Sequence, residues 1–295
     1  MSATSVSLRG RMLSVEEPVL MGIVNATPDS FSDVQRPKAL DELVGLAERL
    51  AEDGAELIDV GGESGRTDRP VVAVDEEIAR VLPLVERLVE AGLAVSVDTW
   101  RAPVARAALD AGAAMINDVS GLSEPEVADA CAASGAALVV THTRSAPKQK
   151  AYPDYEDVVH DVIGLLAERS AEAHRRGVGH DQIVLDPGVD LAKTPAESVE
   201  VLRRLDEVRA LGRPLLLALS RKDFIGVITG RPPSERLAGT LAAVGSVVDG
   251  GGSILRVHDV AAARDYLAVR ATLCGERELG QELRLAEALR REPAA

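Results

Sequence analysis

The feature that most constrains the fold is a pattern that recurs along the chain. An Ala-rich stretch with helical spacing is followed by a Gly, a short apolar run and then polar residues. Together with the opening PVLMGIVNATPDS, the apolar runs give eight candidate strands. Each run is short and almost wholly apolar, as in parallel strands that are covered on both faces. The other runs lie in EDGAELIDVGGES, EAGLAVSVDTWR, DAGAAMINDVSG, ASGAALVVTHTR, GHDQIVLDPGVD, GRPLLLALSRKD and DGGGSILRVHDV.

The segments between the runs have the apolar spacing of helices, for example LDELVGLAERLAED and SVEVLRRLDEVRALG. Eight βα units predict an α/β fold of the (β/α)8 TIM-barrel type. A doubly wound open sheet is the alternative, but no GxGxxG follows the first strand. We expect one domain over residues 1–295. Its barrel would span about residues 17–272, and an exposed, charge-rich C-terminal helix would span about residues 273–295.

The charge balance argues against nucleic acid as a partner. The chain has 33 basic and 47 acidic residues, a formal charge of −14 and a pI of about 4.9. Such a surface repels both nucleic acid and anionic lipid. The two cysteines, Cys131 and Cys274, lack metal-ligand spacing, and no segment has the length of apolar sequence that spans a bilayer. We therefore expect a soluble cytoplasmic protein.

Polar or charged residues follow all eight candidate strands. In a parallel barrel these strand ends meet at one mouth, where active sites lie. Any single aspartate after a strand is more often a helix cap than a ligand contact. The prediction of a site therefore depends on all eight strand ends together. The main candidates are Asn25, Asp33, Arg66, Asp98, Asn117, Asp186, Lys222, Arg256 and His258.

The candidates divide chemically into two groups. Arg66, Arg256 and His258 are cations suited to a phosphate or diphosphate. Asn25 offers a hard oxygen to Mg²⁺, which commonly binds through few protein ligands and the phosphates of a substrate. A second group provides donors and acceptors for a flat heterocycle with an edge of alternating N–H and C=O groups. Its members are Asp98, Asn117, Asp186 and Lys222.

Five ordered motifs resemble those of the dihydropteroate synthase family, over nearly the whole length from Val19 to about Val260. MGIVNATPDSFSD resembles the first-loop motif of that family, which is highly specific. The motifs INDVSG, LDPGVDLAKT, SRKDFIG and RVHDV resemble later ones and occur in the same order. The resemblance implies a TIM barrel that joins 7,8-dihydropterin-6-ylmethyl diphosphate to p-aminobenzoate, with Mg²⁺, in folate synthesis. Members of the family are often homodimers.

The resemblance also implies roles for the candidate residues. Asn25 would bind the Mg²⁺–diphosphate, with Arg256 and His258 on the phosphate oxygens. The pterin would be held by the second group, in which Lys222 also has a catalytic role. Asp33 of the first loop and Arg66 of the second loop would close over the site and complete the catalytic set.

The chain departs from the family where the amine should bind. The second loop has Gly65 and Thr67 where the family usually has a hydroxyl residue and a proline. Leu191 replaces an aromatic ring that stacks on the amine, with an expected loss of about 1 kcal/mol. Asp223 follows the lysine where many relatives have Ser, and we expect it to cap the helix. At about 4 Å and an effective dielectric near 20, repulsion of the amine's carboxylate would cost on the order of 4 kcal/mol.

Three functional accounts remain open at this point. The chain can be a working dihydropteroate synthase with a tolerant amine pocket and reduced affinity for sulfonamides. It can be a divergent paralogue that binds pterin diphosphate but is weak or inactive with p-aminobenzoate, or uses another amine. It can also be a pterin- or folate-binding methyltransferase barrel, although such enzymes do not need the RVH motif.

Overall fold

The computed structural model describes residues 4–26, 37–63, 70–280, 282–286 and 289–290. A two-stranded antiparallel hairpin begins the described chain, with β1 at Ser5–Leu8 and β2 at Arg11–Ser14. The strands that follow pair in parallel and close into a barrel in which the last strand returns to the first. They are β3 (Val19–Asn25), β4 (Leu57–Gly61), β5 (Val95–Asp98), β6 (Met115–Asp118), β7 (Ala137–Thr141), β8 (Ile183–Asp186), β9 (Leu215–Leu217) and β10 (Ser253–Val257).

Helices connect successive barrel strands and lie outside the barrel, so the predicted (β/α)8 fold is confirmed. No helix in these described ranges is both long and apolar enough to cross a membrane. The helices are α1 (Pro37–Glu52), α2 (Val74–Glu90), α3 (Ala102–Asp110), α4 (Glu126–Ser134), α5 (Val158–Arg175), α6 (Pro195–Arg203), α7 (Leu205–Arg209), α8 (Asp223–Thr229), α9 (Leu237–Val247) and α10 (Val260–Leu273). Short 3-10 helices lie at His180–Gln182, Pro233–Glu235 and Val248–Gly250.

Helix α2 shows why these segments are helical. Its buried side chains Val81, Leu84, Val85 and Leu88 recur at spacings of three and four, which places them on one face. Acidic residues lie in its first turn and an arginine in its last, so both ends match the helix dipole. The apolar face packs on the barrel, and the polar face remains in water.

Side chains along each barrel strand alternate between the interior and the helix layer. Leu20, Ile58 and Val97 belong to the large outer cluster formed with the helices. Their neighbours point inward and form a separate apolar cluster in the lower part of the barrel. The hairpin residues Val6 and Leu8 also join this cluster, as does Val15 directly after the hairpin. The hairpin therefore covers the N-terminal end of the barrel. The inward cluster includes Val19, Met21, Leu57, Met115, Val139, Val184, Leu216 and Ile254.

The predicted C-terminal helix is wrong for residues 274–280 and 282–286, which form turns and irregular backbone. Helix α10 ends at Leu273, and Gly275 follows with φ +77°, a left-handed conformation that ends helices. Leu279, Leu283 and Leu285 beyond it are exposed, with more than half of each accessible. A short helix is marginal in water without an apolar face to bury, and these leucines bury none.

We predict that Leu216→Ala lowers the free energy of unfolding by about 2–5 kcal/mol, because it leaves a cavity in the close-packed barrel interior. The matched control is Leu273→Ala, since Leu273 is 82% exposed at the end of α10. The same truncation there should change stability by less than about 0.5 kcal/mol. Urea denaturation of both variants measures the difference, and equal losses would contradict the assignment of Leu216 to the interior.

Candidate active site

Polar side chains replace apolar ones on the inward face as each strand reaches its C-terminal end. The strand register places Asn25 beside Gly61, Gly61 beside Asp98 and Asp98 beside Asn117. One continuous row of the barrel mouth is thus formed by three neighbouring polar side chains and one glycine. By the same alternation, Asp186 and Arg256 continue the inward positions of Val184 and Ile254. The structure therefore brings the candidates of five strands to one mouth.

Arg256 is the centre of a hydrogen-bonded network in this mouth. Its Nε donates to Asp59 Oδ2 at 2.6 Å, and its Nη2 donates to Asp98 Oδ2 at 3.0 Å. Asn117 Nδ2 also donates to Asp59 Oδ2, at 3.2 Å. Asp59 is fully buried, so it depends on these donors for its charge to be tolerated. From the sequence, Arg256 is expected among the cations that bind phosphate. In the structure it directly contacts Asp98, a carboxylate expected to bind the heterocycle.

Several buried polar atoms around this network have no hydrogen-bond partner within the described chain. They are Asp59 Oδ1, Asn117 Oδ1, Ser96 Oγ and Thr141 Oγ1. Buried polar groups without partners are rare, because each loses the hydrogen bond it would make in water. A polar ligand that carries N–H donors would satisfy these acceptors, so the mouth has the chemistry of a binding site.

Burial raises the pKa of both carboxyl groups predicted to face the heterocycle. For Asp98, burial is the largest cause of the raised pKa. The positive charge of Arg256 lowers the pKa, and the negative charge of Asp59 raises it further. For Asp186, burial is opposed by the N–H of Gly188, which donates to Oδ1 at 2.7 Å, and by Lys222. A ligand that donates N–H groups to these carboxylates would lower both pKa values again.

Lys222 lies at the N-cap position of α8, where its Nζ donates to the carbonyl of Val189 at 2.9 Å. That carbonyl belongs to the loop between β8 and α6, which begins directly after Asp186. The two sequence candidates Asp186 and Lys222 are therefore joined through this loop.

His258 follows β10 and is held by Ser220. The Ser220 hydroxyl accepts the backbone N–H of His258 at 3.3 Å and lies 2.9 Å from the ring Nδ1. We assign this second contact as a hydroxyl donating to Nδ1, which leaves the ring proton on Nε2. Burial, then Arg221, lowers the pKa of His258 to about 4. The ring is therefore neutral at pH 7 and offers an Nε2–H donor.

The surroundings of Asp223 differ from the prediction. Asp223 is the first residue of α8 and does not cap it; instead its backbone N–H donates to the carboxylate of Asp190. The Asp223 carboxylate is 75% exposed and pairs with Arg236 at 3.1 Å. Because it is paired and in water, its repulsion of another anion falls to about 1 kcal/mol or less. The expected cost of 4 kcal/mol is therefore too large. Leu191 lies half-buried in the neighbouring loop.

Four predicted site residues, Asp33, Gly65, Arg66 and Thr67, lie outside the described residues. The described chain on either side of the second loop is held by Glu63. Its Oε1 accepts the N–H of Val72 at 2.9 Å, and its Oε2 pairs with the buried Arg101 at 3.1 Å.

The mouth offers few ligands for a magnesium ion. No group of three or more His, Cys, Asp or Glu side chains in the described part of the chain is placed to hold a metal. Asn25, exposed at the end of β3, offers a single amide oxygen. One neutral oxygen ligand fits Mg²⁺ that is held mainly by a substrate's phosphates and water.

Two features of this region are not among the residues predicted from the sequence. Asp59 is the lone charge in the apolar run LIDVG, and its position two residues from Leu57 predicts that it points inward. The second is a buried pair beside the mouth, in which Lys193 Nζ lies 2.7 Å from His142 Nδ1. His142 Nε2 in turn contacts Asp161 Oδ1 at 2.8 Å. His142 therefore accepts at one nitrogen and donates at the other.

A family model described as "Pterin binding enzyme" matches residues 21–258, and the chain belongs to this family of pterin-binding enzymes. Its similarity is to the dihydropteroate synthases within that family. The dihydropteroate synthase of Bacillus subtilis is 42% identical over 247 residues, which cover 83% of this chain and 85% of that protein. The resemblance predicted from the five motifs is confirmed.

A solved structure supports the same assignment. Xanthomonas albilineans dihydropteroate synthase with 4-aminobenzoic acid is 42% identical, with a TM-score of 0.85 over 92% of this chain and 99% of that one. A probable bifunctional folylpolyglutamate synthase/dihydropteroate synthase of Haloferax volcanii is 43% identical over 242 residues. That match covers 82% of this chain but 29% of the longer relative.

We predict that His142 makes the protein less stable in acid. Burial, then Lys193, lowers its pKa to about 4, against an ordinary value of 6.5. Below pH 6.5 His142 binds a proton in the unfolded chain but not in the folded chain. Stability therefore falls as the pH drops from 6.5 towards 4. Between pH 7 and pH 5 this loss is about 2 kcal/mol.

His142→Asn keeps an acceptor near Nδ1 but does not titrate. Urea unfolding at both pH values should show a loss about 2 kcal/mol smaller in the variant; equal losses would contradict the assignment.

Proposed function

We propose that the protein condenses 7,8-dihydropterin-6-ylmethyl diphosphate with p-aminobenzoate to give 7,8-dihydropteroate and diphosphate. The observation that carries this proposal is the row of inward polar side chains at the mouth, with buried acceptors that lack partners. The family and the similarity to synthases over more than four fifths of the chain support it. The Xanthomonas structure with 4-aminobenzoic acid supports the amine.

The pterin is assigned to the carboxylates and amide of the mouth. Asp98 and Asp186 accept N–H groups from the guanidine-like edge of the ring, and Asn117 donates and accepts at the adjoining edge. Lys222 donates to a ring acceptor from the other side. Asp59, buried behind them, holds Arg256 and Asn117 in place through the contacts described above.

The diphosphate is assigned to Asn25, Arg66, Arg256 and His258. The two contacts of Arg256 with carboxylates use Nε and Nη2, and the guanidinium has five N–H donors in all. His258 adds its Nε2–H. When bound, Mg²⁺ would supply positive charge to the leaving group, with Asn25 as its protein ligand.

The reaction breaks the bond between the pterin methylene carbon and the diphosphate oxygen, and both electrons leave with the diphosphate. The methylene cation is then captured by the lone pair of the aromatic amine, which loses a proton as the C–N bond forms. Carboxylates near the ring favour the cation, and donors on the phosphate favour departure. Asp33, Arg66 and Lys222 are the proposed catalytic residues, with the two loops excluding water.

The amine is assigned to the region of Gly65, Thr67, Leu191 and Asp223. Two carboxylates, those of Asp190 and Asp223, meet the start of α8 there. Because Arg236 pairs with Asp223, this local charge disfavours the carboxylate of the amine by about 1 kcal/mol or less. The altered residues of this region leave one specific alternative, a paralogue that binds pterin diphosphate but does not turn over p-aminobenzoate. A turnover assay distinguishes the two functions.

We further propose a cytoplasmic homodimer. The support is an apolar groove between α6, α8 and α9 that is lined in part by Ile228, which is 69% exposed; the neighbouring residue of the helix, Val227, is 70% exposed. A second copy would cover these side chains. A mass in solution equal to one chain would contradict the dimer.

We predict that the purified protein with Mg²⁺ and the pterin diphosphate releases diphosphate only when p-aminobenzoate is added. Asp186→Asn should weaken binding of the pterin diphosphate by about tenfold to a hundredfold, because it removes charge-assisted hydrogen bonds. The control is Asp265→Asn on the exposed side of α10, which should match the wild type. A coupled diphosphate assay and calorimetry measure the two quantities.

The outcomes separate the open accounts. Binding of the pterin diphosphate without amine-dependent turnover would support the paralogue. If the wild type does not bind the pterin diphosphate at all, the proposed function is wrong.

We predict that His258→Ala weakens binding of the pterin diphosphate by about tenfold, since one N–H donor to phosphate is lost. Binding of the bare pterin should not change. His160→Ala on the exposed surface of α5 is the control. Equal losses for the two ligands, measured by calorimetry, would place His258 away from the diphosphate.

A further inference from the structure

Lys193 is a buried lysine for which the proposed reaction has no use. It is 2% exposed, and its Nζ contacts four acceptors: His142 Nδ1 at 2.7 Å, Gly188 O at 2.9 Å, Leu191 O at 3.2 Å and His142 O at 3.4 Å. An ammonium group has three N–H donors, so these acceptors use all of them. Enclosed in this way, the side chain cannot touch a substrate in the mouth.

The loop that Lys193 holds has an unusual backbone. Gly188, Asp190 and Ala192 all have positive φ, at +68°, +62° and +49°. Two of the three are not glycine, and such conformations persist only where their surroundings enforce them. Gly188 is also obligatory because a Cβ there would lie 1.9 Å from the carbonyl oxygen of His142. Lys193 binds carbonyls at both ends of this strained stretch.

The far side of Lys193 is attached to a different part of the barrel. His142 follows β7, and its Nε2 donates to Asp161 on α5 at 2.8 Å. Arg144 holds the same carboxylate with two contacts of 2.9 Å. Tyr155 adds a second attachment, because its hydroxyl donates to the carbonyl of Ala192 at 2.8 Å. The loop is therefore fixed to β7 and α5 from outside the mouth.

The near side of the loop reaches the proposed pterin site. The carbonyl of Val189, one residue after Gly188, accepts the Lys222 ammonium at 2.9 Å. A second contact of the same loop also reaches the mouth, because the Gly188 N–H donates to Asp186 Oδ1 at 2.7 Å.

We propose that Lys193 is a positioning residue for the pterin site: it holds the 188–192 loop in the conformation in which the Val189 carbonyl places Lys222. The inference rests on the proposed function, because it takes Lys222 to be a pterin contact. Loss of Lys193 acts on pterin binding through the loop contacts with Lys222 and Asp186, so its effect is coupled to theirs. This coupling distinguishes positioning from general destabilisation.

A double-mutant cycle tests this property. Lys193→Met, Lys222→Met and the double variant are titrated with 7,8-dihydropterin-6-ylmethyl diphosphate and Mg²⁺ in a calorimeter. Each single variant should bind on the order of tenfold more weakly, and the loss in the double variant should be smaller than the product of the two single losses. Lys150→Met, an exposed lysine in the preceding loop, should bind as the wild type does. Losses that multiply in the double variant would overturn the inference.

A second cycle covers the case in which Lys193→Met does not fold, as judged by circular dichroism. Tyr155→Phe removes the hydroxyl that holds Ala192 and keeps the ring, so it loosens the same loop. It should weaken binding by a few fold, and that loss should be smaller in a Lys222→Met background. Persistence of the full loss would overturn the inference. Failure of the wild type to bind is a separate result that rejects the proposed function instead.

Discussion

Closure of eight parallel strands forces alternate side chains of every strand into one interior. In the lower part of this interior the side chains are apolar and close-packed, and the hairpin covers them. Towards the C-terminal ends the same inward positions hold Asp59, Asp98, Asn117, Asp186 and Arg256. These five candidate residues therefore need no special loop to bring them together. They converge because the barrel closes.

Once the residues converge, their charges must be balanced. Arg256 lies between Asp59 and Asp98, and the cost of burying these ions is offset only while each keeps its partner. The network also explains why the groups proposed for the pterin and for the diphosphate are not separate. The guanidinium of Arg256, which is proposed for the diphosphate, directly contacts Asp98, which is proposed for the pterin.

Much of the fold could be predicted from the sequence because the strand pattern repeats and the strand ends carry polar residues. The features that were not predicted correctly depend on tertiary contacts. The hairpin Ser5–Ser14 has no strong turn signal, and the predicted C-terminal helix lacked a surface to pack on. Asp59 could have been found by counting inward positions along β4. The pairing of Asp223 with Arg236, and of Lys193 with His142, joins residues far apart in sequence, which local patterns do not specify.

The central claim is that a pterin ring with its diphosphate binds at the rim formed by the inward strand ends. The most direct test is a crystal structure of the protein soaked with 7,8-dihydropterin-6-ylmethyl diphosphate. The account predicts density for the ring between Asp98, Asn117 and Asp186, with the phosphates towards Asn25 and His258. A ring bound elsewhere, or a mouth that stays empty at saturating ligand, would contradict it.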